Sequence, residues 1–305
     1  MAKKDFITIR SFSPAEVRKL IDDAVDIKAH PARYAGALKG KALAMIFEKP
    51  SLRTRVTFDV GIHQLGGFAI YLSPAEISLG KRESVADVAR NLERMVQGVM
   101  ARTFSHRTVE ELAEHAHIPV INGLTDYNHP CQAMADYLTL LEVKKRLAGI
   151  KLAYVGDGNN VAVSLIHGAA RLGVHLAVAT PPGYEPNPEV VEWARAHGAE
   201  TGGKIDLTRD PAEAVKDADA VYTDVWTSMG QEAQSAARLK IFRPYQVNEA
   251  LFALARPDAV FMHCLPAHRE EEVTDGVIES PRSVVFPQAE NRLHVQKAIM
   301  LNLMR

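Results

Sequence analysis

Short apolar runs alternate with segments of helical length along most of this chain, and this alternation restricts the folds open to it. The runs at 68–72, 152–155 and 175–179 have the length and residue types of buried strands, and a helical apolar pattern at 160–172 separates the last two. Strands that alternate with helices of about 10–15 residues are typical of parallel sheets covered by helices on both faces. We therefore predict an α/β fold in which each domain is a mostly parallel sheet flanked by helices.

The length and one break in the pattern predict two domains. At about 150 residues per domain, 305 residues correspond to two. A long predicted helix from 130 to about 147 ends before a glycine, and the strand–helix pattern starts again at 149–151. We place the domains at 1–148 and 149–305, and we expect the last helix, about 291–305, to return and pack on the first domain.

Composition excludes several classes of protein. The 36 Lys and Arg residues are balanced by 37 Asp and Glu residues, and this net charge of −1 argues against a general nucleic-acid coat or a membrane-surface protein. The two cysteines, Cys131 and Cys264, do not suggest the framework of a secreted disulfide-rich protein. No apolar run reaches the roughly 18–20 residues of a membrane helix, and the first residues lack the apolar stretch of a signal peptide. We expect a soluble, cytoplasmic protein that binds neither nucleic acid nor membrane.

Segment 47–55 has the features of an anion-binding site. A strand ends there at a proline, and a helix begins with Ser51, Arg53, Thr54 and Arg55 in its first turn. Arginine is unfavourable at a helix N-terminus because the helix dipole is already positive there. Two arginines beside free backbone N–H groups bind an anion, and phosphate is the natural one. A solvated basic turn capped by Ser51 is the alternative, but it leaves both arginines unexplained.

Three further polar side chains are predicted to lie at a helix entrance or a strand end. Pro130 suits the first turn of the helix that follows, so His129 and Gln132 share the entrance of that helix. A histidine and an amide there can donate hydrogen bonds to a carbonyl or phosphate oxygen. Arg102 ends the apolar run 99–101 and is a third candidate donor. A polar helix cap and a surface arginine are the structural alternatives.

The glycine-containing turn 156–160 follows one strand and precedes a helix, which suggests a dinucleotide site. Val161 occupies the third glycine position of that fingerprint, however, and the next strand ends at 179–180 without the acid that holds a ribose. We therefore do not expect NAD, and a nicotinamide oxidoreductase is a weak alternative. Asn160 is available to hold a polar substrate.

Two later strand ends carry an acid and a thiol. Asp224 follows the strand 220–223, where it can pair with a substrate ammonium group. Cys264 follows the strand 259–263 and has histidines nearby in the same segment. Zinc usually requires three or four ligands at recurrent spacing, and the sequence has no second cluster of that kind. A metal site is therefore the less favoured interpretation, and a buried, inert thiol is the alternative for Cys264.

Four segments together resemble the signatures of one enzyme family. Ser-Leu-Arg-Thr-Arg at 51–55 and His-Pro-Cys-Gln at 129–132 are similar to the carbamoyl-phosphate motifs of the carbamoyltransferases. Asp224 with Ser-Met-Gly at 228–230, and His-Cys-Leu-Pro at 263–266, resemble the motifs of the ornithine branch, whereas the aspartate branch has a different loop and no cysteine. The resemblance covers nearly the whole chain, in order and at family-like separations.

The resemblance implies an activity, an assembly and a set of site residues. The activity is transfer of a carbamoyl group from carbamoyl phosphate, held by the first domain, to the side-chain amine of L-ornithine, held by the second, as in arginine biosynthesis. The assembly is a homotrimer with sites at subunit interfaces and no cofactor. By the same resemblance Arg102, His129 and Cys264 are catalytic. The residues implied to bind substrate are, for carbamoyl phosphate, Ser51, Leu52, Arg53, Thr54 and Gln132, for ornithine, Asn160, Asp224, Ser228 and Met229, and, completing the centre, Leu265 and Arg292.

Two positions depart from the family pattern. Leu52 stands where the family often has threonine, which removes a hydroxyl but keeps the backbone N–H. Ser78, in the stretch 77–82, stands where the family has a longer polar side chain that a neighbouring subunit contributes to the phosphate. The alternatives are a carbamoyltransferase for aspartate, putrescine or an N-acylornithine, and a non-catalytic small-molecule sensor on the same fold. A sensor is disfavoured because nearly all of the implied site residues are retained.

Overall fold

The computed structural model describes residues 3–230 and 232–305. The chain divides into two units, one of Met1–Leu138 with Glu290–Arg305 and one of Thr139–Ala289. We call them the first and the second unit. The C-terminal residues therefore belong with the N-terminal part of the chain, as predicted for a last helix that returns to the first domain.

The first unit consists of a parallel sheet and helices. Its strands are β1 (Ala42–Phe47), β2 (Phe68–Leu72), β3 (Gly98–Arg102) and β4 (Val120–Leu124). Its helices are α1 (Pro14–Ala29), α2 (Leu52–Gln64), α3 (Pro74–Ile77), α4 (Val85–Leu92), α5 (His106–His115) and the first part of α6 (Pro130–Lys144). Most of the C-terminal helix, α13 (Val285–Met304), also belongs to this unit.

The sheet of the first unit runs in the order β2-β1-β3-β4, with every neighbouring pair parallel. Every residue of β1 and β3 is buried, as expected for apolar strands covered on both faces, whereas the edge strand β2 is partly exposed. Val88 of α4 and Leu112 of α5 pack into the core beside the sheet. The register places Phe47 opposite Arg102, so the carboxyl ends of β1 and β3 meet at one edge.

The second unit contains strands β5 (Lys151–Val155), β6 (His175–Ala179), β7 (Lys204–Thr208), β8 (Ala220–Thr223) and β9 (Val260–His263). Its helices are α7 (Asn160–Leu172), α8 (Pro188–Gly198), α9 (Pro211–Val215), α10 (Ser235–Phe242), α11 (Glu249–Phe252), α12 (Asp275–Ile278) and the start of α13 (Val285–Met304). Short 3-10 turns lie at Ile9–Ser11, Pro31–Tyr34, Glu232–Gln234 and Arg243–Tyr245. Among the residues that the structure describes, no helix combines the length and apolar character needed to cross a membrane.

The sheet of the second unit runs in the order β7-β6-β5-β8-β9, and all of its pairs are parallel. Its register places Val155 opposite Thr223, and Thr223 opposite His263. The chain that leaves β5, β8 and β9 therefore emerges at one edge of the sheet, at three neighbouring positions. This places the turn after Val155, Asp224 and Cys264 side by side.

Both sheets confirm the predicted α/β class, and the main difference from prediction concerns the last helix. That helix was expected to begin near residue 291, but α13 begins at Val285. Pro287 indicates a break when it is read in isolation, yet it lies in the first turn of α13, where its missing N–H costs no helical hydrogen bond. The helix can therefore start before the proline.

Candidate active site

In each unit the strand order reverses at one place. In the first unit the chain passes from β1 to β2 on one side and later to β3 on the other, and in the second unit from β5 to β6 and later to β8. Ligands of open parallel sheets bind in the crevice at the carboxyl ends of the strands where such a reversal occurs. The segments that leave these strands include 48–51, after β1, and 156–160 and 224–230, after β5 and β8. Each unit therefore has one candidate crevice.

The first crevice holds the N-terminus of α2. Ser51 caps this helix, because its Oγ accepts a hydrogen bond from the backbone N–H of Thr54 at 3.2 Å. Leu52 is 74% exposed and is the first residue of α2, where the backbone N–H makes no hydrogen bond within the helix. Arg53 is half-buried in the same turn. Backbone N–H groups at a helix start, together with the helix dipole, favour an anion here.

Two buried arginines converge on the hydroxyl of Thr54. Arg292 of α13 donates from Nη2 to Thr54 Oγ1 at 2.7 Å, and Arg102, the last residue of β3, donates from Nη1 at 3.5 Å. Thr54 is fully buried, and both arginines are almost fully buried. Two positive charges thus lie beside the start of α2. A phosphate group supplies matching negative charge and several acceptor oxygens.

His129 is buried at the entrance of α6. Burial lowers the pKa of its imidazole well below the ordinary value, and the positive charges of Arg292, Arg102 and Arg53 lower it further. The ring is therefore neutral at pH 7, with one nitrogen that donates and one that accepts. A neutral imidazole among arginines is suited to donate a hydrogen bond to a substrate oxygen.

Gln132 and Lys49 complete the polar lining near these residues. Gln132 is buried in the first turn of α6, and its Nε2 donates to Asp136 Oδ1 at 2.8 Å. Lys49, which sequence reasoning did not select, is buried, forms an ion pair with Asp126 and lies 4.4 Å from the ring centroid of Phe104. In the sequence, its place within segment 47–55 was the sign that pointed to it.

The second crevice centres on Asp224, which is 5% exposed. Its Oδ1 accepts hydrogen bonds from the thiol of Cys264 at 2.9 Å and from the N–H of Val225 at 2.8 Å. Its Oδ2 accepts from Asn159 Nδ2 at 2.7 Å. The acid and the thiol that the sequence placed at separate strand ends are thus in direct contact. Asn159, which also caps α7, was missed because an Asn before a helix predicts only a cap.

The remaining predicted residues of the second unit lie in the segments that follow the same three strands, β5, β8 and β9. Asn160 is the first residue of α7 and is half-buried, while Ser228 is half-buried and Met229 is 43% exposed in the segment after Asp224. Leu265 has a φ of 57° and precedes a cis peptide bond to Pro266.

Ser78, in the first unit, follows the short helix α3. Its hydroxyl donates to the carbonyl oxygen of Pro74, the first residue of that helix, at 3.3 Å.

Hydrogen bonds around His263 bear on a metal in this crevice. Ligand atoms of Asp224, His263 and Cys264 lie within 4.8 Å of one another. The Nδ1 of His263 accepts from Leu265 N at 2.9 Å, however, and its Nε2 lies 3.1 Å from Glu272 Oε1. A metal ion bound to His263 would replace one of these two hydrogen bonds. The donor set therefore fits a positioned loop better than a resident ion.

Both units match family models. Residues 4–142 match the carbamoyl-P binding domain of aspartate/ornithine carbamoyltransferase, and residues 148–303 match its Asp/Orn binding domain. Among curated proteins, the ornithine carbamoyltransferase of Thermococcus kodakarensis is 55% identical over 309 residues, which cover 100% of this chain and 97% of that protein. That of Geobacillus stearothermophilus is 56% identical over 305 residues, which cover 99% of this chain and 97% of that protein.

Solved structures show the same relationship. Ornithine carbamoyltransferase from Pyrococcus furiosus aligns with a TM-score of 0.96 at 52% identity, over 99% of this chain and 97% of that one. Ornithine transcarbamoylase from Giardia lamblia aligns with a TM-score of 0.92 at 36% identity, over 100% of this chain and 99% of that one. Sequence and fold therefore agree over the full length, and the chain belongs to the aspartate/ornithine carbamoyltransferase family.

Proposed function

We propose that this chain transfers the carbamoyl group of carbamoyl phosphate to the side-chain amine of L-ornithine, giving L-citrulline and phosphate. The observation that carries the proposal is the convergence of the buried Arg102 and Arg292 on Thr54 at the N-terminus of α2. The relatives that match the full length of this chain are named ornithine carbamoyltransferases. The chemistry of the crevice and the family thus support one reaction, and the proposal includes no cofactor and no metal.

The first unit supplies the donor half of the reaction. The phosphate group accepts hydrogen bonds from the backbone at the start of α2, Leu52 included, and from Ser51, Arg53 and Thr54, with Gln132 nearby, while Arg292 balances its charge. Arg102 and His129 donate to the carbamoyl oxygen, on which negative charge develops as the amine attacks. Donors arranged in advance for that charge stabilise the transition state, and losing one typically lowers kcat by about 10²–10³-fold.

The second unit supplies the acceptor half. Asp224 pairs with the α-ammonium group of ornithine, and Asn160, Ser228 and Met229 hold the rest of its amino-acid end. The side-chain amine has an ordinary pKa of about 10.4, so it is mostly protonated at pH 7, whereas only the neutral form attacks. A nitrogen–carbon bond forms, the carbon–oxygen bond to phosphate breaks, and the amine releases a proton. We propose that the sulfur of Cys264 takes that proton while its own S–H proton passes along the hydrogen bond to the Asp224 carboxylate, with Leu265 completing the centre.

We also propose that the working assembly is a homotrimer with sites completed at subunit interfaces. Leu52, Val56 and Val60 recur every four residues along α2 and are 74%, 48% and 39% exposed. Phe68 and Ile70 of the edge strand β2 are also exposed. Exposed apolar side chains at a sheet edge favour contact with another copy of the chain. Light scattering of a trimer gives about 100 kDa, three times the chain mass of 33.5 kDa, and a single-chain mass contradicts the proposal.

The proposed direction of the reaction is biosynthetic. The protein from Pyrococcus furiosus is named an anabolic ornithine carbamoyltransferase, as is the solved protein from Campylobacter jejuni. On this basis we propose a role in arginine biosynthesis, in the cytoplasm. Expression of this chain in a host strain that lacks the activity and requires arginine tests the direction: growth without arginine is expected, and no growth despite active enzyme contradicts the biosynthetic role.

An acceptor panel tests the proposed function. The purified chain is mixed with carbamoyl phosphate and, in parallel, with ornithine, aspartate, putrescine or N-acetylornithine, and both phosphate release and ureido product are measured. Ureido product with ornithine alone supports the proposal. Product with another amine supports carbamoyl phosphate as the donor but contradicts ornithine as the acceptor. Carbamoyl-phosphate binding without product from any amine supports the sensor instead.

A further inference from the structure

The segment 224–230 carries three of the residues proposed to read the acceptor, and a buried side chain elsewhere in the second unit contacts the backbone of its third residue. That side chain is Arg238 in α10, which is 4% exposed. Its Nε donates to the carbonyl oxygen of Trp226, inside the segment. Its Nη2 donates to the carboxylate of Asp157, in the turn after β5. One guanidinium therefore bridges the two chain segments that flank the second crevice.

Aromatic rings surround the bridge and keep it from water. The guanidinium carbon of Arg238 lies 4.8 Å from the ring centroid of Tyr184 and 5.1 Å from that of Phe242. The ring of Trp226 stacks on Phe242 at 6.0 Å, and Trp226 is 1% exposed. Inside such an enclosure an ion pair depends strongly on both partners, because removing one leaves the other charge buried alone.

The bridge is continuous with the proposed acceptor-binding carboxylate. Asp157 lies two residues before Asn159, and the carbonyl of Asp157 accepts from the N–H of Asn159 at 2.7 Å. Asn159 in turn donates from Nδ2 to Asp224 Oδ2 at 2.7 Å. The segment 224–230 is therefore attached at Asp224 through Asn159 and at Trp226 through Arg238. Both attachments lead to the same turn after β5.

We propose that Arg238 is a positioning residue, which holds the segment 224–230 in its ornithine-binding arrangement by bridging Asp157 and the Trp226 carbonyl. This inference rests on the proposed function, since it assigns the segment to ornithine. Arginine suits the task because its planar fork donates in two directions at once, whereas lysine has a single ammonium group. The donor residues belong to the first unit, so the bridge acts on ornithine and leaves carbamoyl phosphate unaffected.

The test compares R238M, R238K and D157N with wild type and with R243M. Arg243 is a matched control, because it is exposed in the next turn and donates to the carbonyl of Glu270. Small misplacements far from the reacting atoms cost up to about 100-fold, and we expect R238M to raise the KM for ornithine by about 10- to 100-fold. The KM for carbamoyl phosphate is expected to stay within about twofold. R238K keeps the positive charge but cannot donate in both directions. We therefore expect its melting temperature to lie closer to that of wild type than its KM for ornithine does.

A spectroscopic readout decides the bridge without relying on turnover. Replacing Trp193 by phenylalanine leaves Trp226 as the single tryptophan, since the chain has two. In that background R238M is expected to shift the Trp226 emission to longer wavelength as its surroundings loosen, and R243M is not. D157N serves the same purpose if R238M does not fold.

The outcomes separate this inference from the function on which it rests. Wild-type chain that forms no citrulline overturns the proposed function, and the emission of Trp226 then still tests the bridge. Wild-type activity together with an unchanged ornithine KM in R238M and D157N overturns the positioning role. An equal rise in both KM values also overturns it, because a general loss of structure does not discriminate between substrates.

Discussion

Replacing Arg292 with methionine is the sharpest test of the donor half of the site. Arg292 donates to Thr54 Oγ1 at 2.7 Å from an almost fully buried position, and methionine keeps much of the apolar stem while removing the charge and every donor. Hydrogen bonds that involve a charged group contribute about 1.5–3 kcal/mol. Since about 1.4 kcal/mol is a factor of ten, we expect the KM for carbamoyl phosphate to rise by about 10- to 150-fold.

The same substitution has a second, independent consequence at His129. After burial, the charge of Arg292 is the largest cause that lowers the pKa of His129. Removing that charge raises the pKa toward its ordinary value, so the variant protonates its imidazole at higher pH than wild type does. The acid limb of the kcat/KM profile for carbamoyl phosphate is therefore expected to move to higher pH.

The assay is initial-rate citrulline formation at saturating ornithine, with carbamoyl phosphate varied and the pH stepped across the acid limb. R18M is the control, because Arg18 is exposed on α1 and pairs with Asp22 there. If R292M has a wild-type melting temperature and an unchanged KM for carbamoyl phosphate, Arg292 does not contribute to carbamoyl-phosphate binding. The same conclusion follows from a raised KM that R18M reproduces.

Three further predictions follow from the same geometry. H129Q is expected to lower kcat by about 10²–10³-fold with little change in the KM for ornithine. Steady-state kinetics test this, and a comparable change in both kcat and the KM for ornithine contradicts it. Iodoacetamide is expected to label the half-buried Cys264 and not Cys131, because burial raises the pKa of the Cys131 thiol to about 12. Peptide mass spectrometry locates the label, and modified Cys131 in folded protein contradicts the assignment. Burial raises the pKa of Asp157 from 3.8 to about 6 despite the nearby Arg238, so the folded chain keeps this carboxyl protonated to a higher pH than the unfolded chain does, and the ion pair with Arg238 forms as the pH rises above about 6. The stability that the protonated carboxyl contributes is therefore present below about pH 4 and lost as the pH rises to about 6. Urea melts are expected to show that the free energy of unfolding of wild type falls relative to that of D157N across this range, whereas a constant difference contradicts the assignment.

Local patterns predicted the elements that carry the site. The apolar runs at 99–101, 152–155 and 220–223 correspond to β3, β5 and β8, because buried parallel strands appear in sequence as short apolar runs. The arginines at the start of α2 indicated an anion because they oppose the helix dipole there. Each of these signals lies within a few consecutive residues.

Long-range pairings could not be predicted in the same way. Asp157 and Arg238 are 81 residues apart in sequence, and neither stands in a pattern that indicates an ion pair. The contact of Arg292 with Thr54 spans 238 residues and depends on the C-terminal helix lying in the first unit. Such contacts are set by the order of strands in the sheets and by the path of the chain, which local periodicity does not contain.

Carbamoyl phosphate labelled with carbon-13 in its carbamoyl group allows the transfer of that group to ornithine to be followed directly. Purified chain is mixed with the labelled carbamoyl phosphate and ornithine, and the products are followed by carbon-13 NMR together with phosphate release. We expect the label to appear in the ureido carbon of citrulline, with one phosphate released for each citrulline formed. Phosphate release with the label confined to breakdown products of carbamoyl phosphate, and none in citrulline, contradicts the account.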